Sequence, residues 1–218
     1  MSLIMVGVEK GGVGKSTLTQ NLAAIRASLD RRVAIYDLDN QATTSKWVAR
    51  RRDLPALPQV YVERMEEGRH TQEEFALQLQ RLIDSYDDVF VDVGGKDTEI
   101  FRAALAAADI IVAPLIPSPA DLDTVPDLAE VIGKFSKKID IRVVLNQADP
   151  RKRMTKAMIS EMAAFKATLP LMSKMIANRE SYKFATAQGR GVAELEGSFW
   201  DGNAANEMKD LYLGVFGK

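Results

Sequence analysis

Glu9-Lys10-Gly11-Gly12-Val13-Gly14-Lys15-Ser16-Thr17 lies between two stretches of different periodicity. On its amino side, Leu3 to Val8 is a short apolar run of the kind a buried strand needs. On its carboxyl side, Leu18, Leu22, Ile25 and Leu29 recur at the spacing of one helix face. A glycine-rich turn between strand and helix points backbone N–H groups at a common centre. The positive end of the helix dipole lies there too, so the turn suits a polyphosphate. Lys15 supplies the charge that reaches β- and γ-phosphates, and the Ser16 hydroxyl can hold Mg²⁺.

Moving outward, Val33-Ala34-Ile35-Tyr36 reads as a second strand and ends in Asp37-Leu38-Asp39-Asn40-Gln41. Acids at i and i+2 on a strand are expected to point the same way. In a parallel α/β sheet the ligand crevice lies at the carboxyl ends of the strands. Asp37 and Asp39 are therefore expected beside the glycine-rich turn, near the metal and the terminal phosphate. Val89-Phe90-Val91-Asp92 is another apolar strand that closes on an acid. Its carboxylate suits the water shell of Mg²⁺, an ion that takes few direct protein ligands.

The remaining segments alternate helix and strand. Residues 41–72 are irregular, with Arg50-Arg51-Arg52, helix-breaking Pro55 and Pro58, a short strand near Gln59 to Val62 and a polar stretch over 63–72. A helix is expected from Glu73 to Tyr86, with Phe75, Leu79, Leu82, Ile83 and Tyr86 on one face. Thr98 is placed to cap a helix to Ala108. The strand Ile110 to Leu115 follows, then a helix whose core face is Leu122, Val125, Leu128, Ile132 and Phe135. The strand Ile141 to Leu145 ends in Asn146-Gln147, where Asn146 can either read a base through its amide or bond the backbone. A last helix starts near Ala204, with Met208, Leu211, Tyr212 and Val215 inward.

From Asn146 to Arg190 there are nine basic residues and three acids, a local charge of +6 within a chain whose net charge is −1. Such asymmetry suits either a polyanion or a solvated helix face. No base-reading motif accompanies it, so any DNA contact would be to phosphates, without sequence preference and strongly salt-dependent.

The totals exclude other chemistry. With 218 residues, 46% hydrophobic and 27% charged, one α/β core over 1–218 is expected. The chain has no cysteine, which removes disulfides and Fe–S clusters. Its one histidine, His70, cannot form a histidine metal cluster. No run approaches the ~20 apolar residues of a membrane span, and the first apolar run lacks the basic start of a signal peptide. A cytoplasmic protein is the expectation.

The pattern K-G-G-x-G-K-[ST] of Lys10 to Ser16 resembles the deviant Walker A motif of the ParA/MinD family of ATPases, with Glu9 where the usual loop has its first glycine. Asp37-Leu38-Asp39-Asn40-Gln41 resembles the family's second signature, and Asp92 its Walker B acid. Pro117-Ser118-Pro119-Ala120-Asp121-Leu122 resembles its P-S-x-x-D-L turn, and Arg179, Ala185, Gly189 and Val192 a region near the end of short ParA proteins. Val93-Gly94-Gly95-Lys96-Asp97 departs from the family, which commonly has proline there; it reads as a γ-phosphate-sensing switch loop or as a plain turn.

The resemblance implies a mostly parallel twisted sheet with helices on both faces. It implies ATP/ADP and Mg²⁺ as ligands, with Lys10, Gly11, Gly12, Val13, Gly14, Lys15, Ser16 and Thr17 binding nucleotide, to which the strand-end position adds Asn146 as a candidate. Ser16, Asp37 and Asp92 would serve the metal, and Lys10, Lys15 and Asp39 catalysis. It further implies an ATP-dependent homodimer in which Lys10 crosses to the partner's phosphates, non-specific DNA binding with nucleoid association, a ParB-like or other adaptor, and no membrane. Two alternatives share the fold. A MinD-like membrane ATPase is disfavoured by Glu207 and Asp210 on the last helix. An orphan ParA-like protein that modulates another system stays open on Glu9 and Gly94-Gly95.

Overall fold

A computed structural model describes residues 2–65, 71–94, 98–135 and 139–217. Six strands, β1 (Ser2–Val6), β2 (Val33–Asp37), β3 (Tyr61–Arg64), β4 (Asp88–Asp92), β5 (Ile110–Leu115) and β6 (Asp140–Leu145), form one sheet in the order β3-β2-β4-β1-β5-β6. Every pairing is parallel. Parallel neighbours need crossovers, which cover both faces and leave the inner strands reading as unbroken apolar runs. The crossover and terminal helices are α1 (Lys15–Ala27), α2 (Thr43–Arg51), α3 (Gln72–Ser85), α4 (Glu99–Ala107), α5 (Pro119–Leu122), α6 (Val125–Gly133), α7 (Arg153–Met162), α8 (Glu180–Ala187) and α9 (Gly202–Phe216).

Alternate residues of each strand feed two cores. Leu3 and Met5 of β1 join Val89 and Val91 of β4 under Phe75 and Leu79 of α3, Phe101 of α4 and Met158 of α7. Ile4 and Val6 join Ile35, Phe90 and Val112 under Leu18 and Leu22 of α1, Trp47 of α2 and Met208 of α9. The sheet is therefore sandwiched, with helices on both faces, as the family resemblance implies.

Several boundaries differ from the sequence expectation for identifiable reasons. Helix α1 stops at Ala27, and Leu29 is exposed rather than on the core face. The helix expected over Leu122 to Phe135 is split into α5 and α6, with Pro126 in the first turn of α6, where its missing N–H costs nothing. Thr71 and Glu74 form a reciprocal capping box that starts α3: Thr71 N donates to Glu74 Oε2 at 2.9 Å, and Glu74 N to Thr71 Oγ1 at 3.2 Å. Strand β2 ends at Asp37, so Asp39 lies past it and strand alternation does not relate the two acids. His70, Gly95, Lys96 and Asp97 lie outside the described residues, so the switch-loop expectation is only partly within them.

The middle residue of the Arg50-Arg51-Arg52 run is buried completely. Arg51 donates Nη1 and Nη2 to Glu194 Oε2 and Oε1, both at 2.7 Å, and Nε to Pro58 O at 2.8 Å, with its guanidinium 5.1 Å from the Trp47 ring centroid. This bidentate pair ties α2 to the segment that leads into α9.

Candidate functional site

The carboxyl ends of β1, β2 and β4 converge with the loop over residues 7–14. Two glycines give the loop its path. Gly12 has φ +75° and Gly14 φ +96°, both in the left-handed region. Gly14 is also crowded, since a Cβ there would lie 2.1 Å from Asn146 Nδ2, whereas one on Gly11 or Gly12 would meet nothing within 4 Å. The chain then turns into α1 at Lys15, whose Nζ donates to the Lys10 carbonyl. Burial lowers the Lys15 pKa, while Asp92 and Asp39 act to raise it. A cleft of about 490 Å³ opens over this loop, lined by Gly11, Gly12, Gly14, Lys15, Ser16, Thr17, Asp39, Gln41, Thr43 and Gln147.

Parallel register sets Asp37 of β2 directly beside Asp92 of β4, and both are buried. Asp37 Oδ2 accepts from Ser45 N at 2.8 Å and from Ser45 Oγ, while its Oδ1 accepts from Asp39 N at 3.2 Å. Asp92 Oδ2 accepts from Thr44 Oγ1, and Asp92 Oδ1 is buried with no hydrogen-bond partner. Burial first, then the neighbouring Asp37, push the Asp92 carboxyl up to about 7, against the hydroxyls of Thr44 and Ser16. Burial also raises Asp37, against its bonds from Ser45 and Asp39.

An acid whose folded pKa exceeds its unfolded value destabilises the fold as pH rises through the interval between them. For Asp92 that interval runs from the ordinary carboxyl value of 3.8 to about 7. The ligand-free wild type should lose this contribution between those values, while Asp92→Asn does not titrate. The melting temperature of Asp92→Asn relative to wild type should therefore climb from pH 5 to pH 8. A difference that stays flat over that range would show that the folded Asp92 pKa is not near 7.

Thr43, Thr44 and Ser45 open α2, and sequence reasoning passed over them. Their signal was present: three hydroxyl residues one position beyond the D-x-D-x-Q stretch, at a helix start. Asn146 is buried and donates Nδ2 to Val13 O at 2.7 Å, so its amide N–H₂ braces the phosphate loop. The amide that lines the cleft belongs to Gln147, which bonds Gly12 O at 3.2 Å from a left-handed backbone of φ +53°. Lys10 is folded back on its own chain. Its Nζ donates to Asp121, which is 1% exposed and also accepts from Ser118 Oγ and, through Oδ1, from Ile116 N at 3.0 Å. The P-S-x-x-D-L turn is thus a receptor for the first lysine of the loop.

Residues 4–192 match the family model described as the CobQ/CobB/MinD/ParA nucleotide binding domain. The chain belongs to this family. It is 30% identical over 193 residues to maintenance of carboxysome distribution protein A of Halothiobacillus neapolitanus, covering 85% of this chain and 84% of the relative. It is 26% identical over 202 residues to protein virC1 of Rhizobium rhizogenes, covering 89% and 84%. An ATP complex of Cyanothece McdA superposes with a TM-score of 0.78 at 19% identity, over 99% of this chain and 97% of that one, a likeness of fold.

For a domain of the ParA/MinD family, Mg²⁺ is the expected metal, and the donors fit it. The buried and unpartnered Asp92 Oδ1, the adjacent Asp37 and the Ser16 hydroxyl are hard oxygen donors of the kind Mg²⁺ takes. Among the described residues no cluster of three or more His, Cys, Asp or Glu side chains forms a cage. Mg²⁺ needs none, since it is held by one or two carboxylates together with phosphates and water.

The basic segment over 146–190 is regrouped by the fold. Arg151 pairs with Asp149, Lys174 with Asp210, Arg179 with Glu207 and Arg190 with Glu196. Those ion pairs take four of its nine cations out of a continuous positive face.

Proposed function

We propose that this protein is a ParA-type positioning ATPase that binds ATP with Mg²⁺, dimerises with ATP bound and holds DNA without sequence preference. The observation that carries the reading is a cleft lined by Lys15, Ser16 and Asp39, with the Ser16 hydroxyl next to Asp92 and the buried Asp37 paired beside it. Lys15 balances phosphate charge through its ammonium. Ser16, Asp37 and Asp92 would hold Mg²⁺, which neutralises developing charge on the phosphates when bound. Asp39 orients the attacking water. Its contribution is the positioning of that water for in-line attack rather than proton removal.

In this reading Lys10 leaves Asp121 and reaches the partner subunit's nucleotide, which makes dimerisation depend on nucleotide occupancy. Hydrolysis is slow until an adaptor stimulates it and then releases the dimer from DNA. Relatives named for carboxysome distribution and for chromosome partitioning supply the classes of cargo, a protein body or a DNA molecule.

Two substitutions test the cycle. Lys10→Ala should keep ATP binding and lose ATP-dependent dimerisation in sedimentation. Asp39→Ala should bind ATP, lose hydrolysis and accumulate as dimer. DNA binding measured with ADP, ATP and a non-hydrolysable analogue across a salt series tests the whole reading; equal binding in all three states refutes it.

A further inference from the structure

A second concavity of about 410 Å³ lies between α1, α2 and α8, lined by Thr17, Thr43, Lys46, Arg50, Tyr182, Lys183, Thr186 and Ala187. We propose that it binds a backbone phosphate of a nucleic acid. The inference rests on the DNA-binding reading above and gives it a location.

Three cations converge on this pocket from two helices, and no acid lines it. Lys46 and Arg50 stand one turn apart on α2, on one side of that helix. Lys183 comes from α8, across from them. Among the described residues none of the three pairs with a carboxylate. Their bonds go to backbone carbonyls, Lys46 Nζ to Gln41 O at 2.9 Å and Arg50 Nη1 to Thr186 O at 3.4 Å. A lysine has three donors and an arginine five, so each keeps donors for an anion. The residues Thr17, Thr43 and Thr186 add hydroxyl groups, the mixture that phosphate oxygens take from proteins.

Lys183, from the 146–190 segment, gathers here with two cations that lie far from it in sequence. The asymmetry visible along the chain therefore points at a site whose other half it does not contain. The next residue along α8, Phe184, is exposed and packs on Phe199 with ring centroids 5.1 Å apart, with Trp200 exposed beside Phe199 in the chain. A free phosphate has no use for such rings, whereas sugars and bases do, and this favours a nucleic acid over a small anion.

Thr17 and Thr43 line this pocket and also the nucleotide cleft. An anion on one side thus shares two wall residues with the anion on the other. Any preference of the DNA for the ATP-filled cleft must be matched by an equal effect of DNA on ATP affinity.

The test is fluorescence anisotropy of a labelled duplex oligonucleotide with the non-hydrolysable analogue bound, over a salt series, for the full chain and for K46A/R50A/K183A. Each lost phosphate contact should lower the slope of log affinity against log salt by about 0.9. The triple variant should therefore bind DNA more weakly at every salt and with a shallower slope, while its affinity for the nucleotide analogue is unchanged. Lys183→Glu alone should weaken DNA binding beyond Lys183→Ala. If wild type binds DNA and the triple variant matches it in affinity and slope, the pocket is not the site and the DNA reading survives. If wild type fails to bind DNA in every nucleotide state, both fall. If inorganic phosphate displaces the duplex at an equal concentration of phosphate groups, the pocket takes small anions and the nucleic-acid assignment is overturned.

Discussion

Gly14→Ala is expected to abolish nucleotide binding in a protein that still folds. Two independent penalties meet at this residue. Its backbone has φ +96°, a conformation that costs an L side chain about 1–2 kcal/mol. Its Cβ would also stand 2.1 Å from Asn146 Nδ2, the atom that holds the Val13 carbonyl. Either the methyl displaces Asn146 or the loop rises, and both move the N–H groups that face the phosphates. Gly12→Ala meets nothing within 4 Å and bears only the conformational penalty of φ +75°, so its affinity should fall by roughly tenfold. Gly11→Ala faces neither obstacle and should be close to wild type. Titration calorimetry with ATP and Mg²⁺ gives the order. Combining Gly14→Ala with Asn146→Ala should restore part of the affinity, because the clash partner is gone. A Gly14→Ala protein that binds as tightly as wild type would mean that the loop reshapes freely when it is filled.

The largest loss of stability is expected from Glu194→Ala. Arg51 is fully buried and its charge is matched by the two oxygens of that one carboxylate. Glu194 also accepts from Gly191 N at 2.6 Å, so its removal leaves an N–H without its partner as well. Removing one member of a buried pair typically costs about 3–5 kcal/mol, because the other charge stays in a poor solvent. In a domain of this size, 1 kcal/mol moves the melting temperature by about 2–4 °C, so a fall of roughly 6–20 °C is expected. Arg51→Met combined with Glu194→Leu removes both charges at similar volume and should melt well above the single variant. If the two melt together, the loss comes from packing near α9 and not from an orphaned guanidinium.

The fold and the phosphate loop were legible because both rest on local pattern. Apolar runs such as Val89 to Val91 identify strands buried on two faces, and the strand–turn–helix order around Gly14 needs no distant residue. What resisted reading depends on partners far apart in the chain. Asn146 stands 133 residues from Val13, and nothing in its neighbourhood says whether its amide faces a ligand or a carbonyl. Lys46 and Arg50 look like ordinary helix-surface cations until α8 brings Lys183 opposite them. Asp37 and Asp39 were related by strand alternation, but β2 stops at Asp37, and what joins the acids is a turn bond from Asp39 N. Arg51 sits in a run of three arginines that suggests solvent, and its burial follows from partners distant in sequence, the Glu194 carboxylate and the Gly189 carbonyl.

With Lys10 as the proposed arm toward a partner subunit's nucleotide, its ion pair with Asp121 means that the nucleotide would compete for an arm already occupied. An ammonium that hung in water would swing toward any anion offered by a second subunit. Held by a buried carboxylate with its own serine and backbone donors, it moves only toward something more attractive than Asp121. The terminal phosphate of ATP carries more charge than a carboxylate, whereas chloride carries the same single charge without a carboxylate's pair of directed oxygens. In the proposed cycle the resting pair would therefore act as a threshold that screens out weak anions, and it would sharpen the contrast between the triphosphate and the diphosphate.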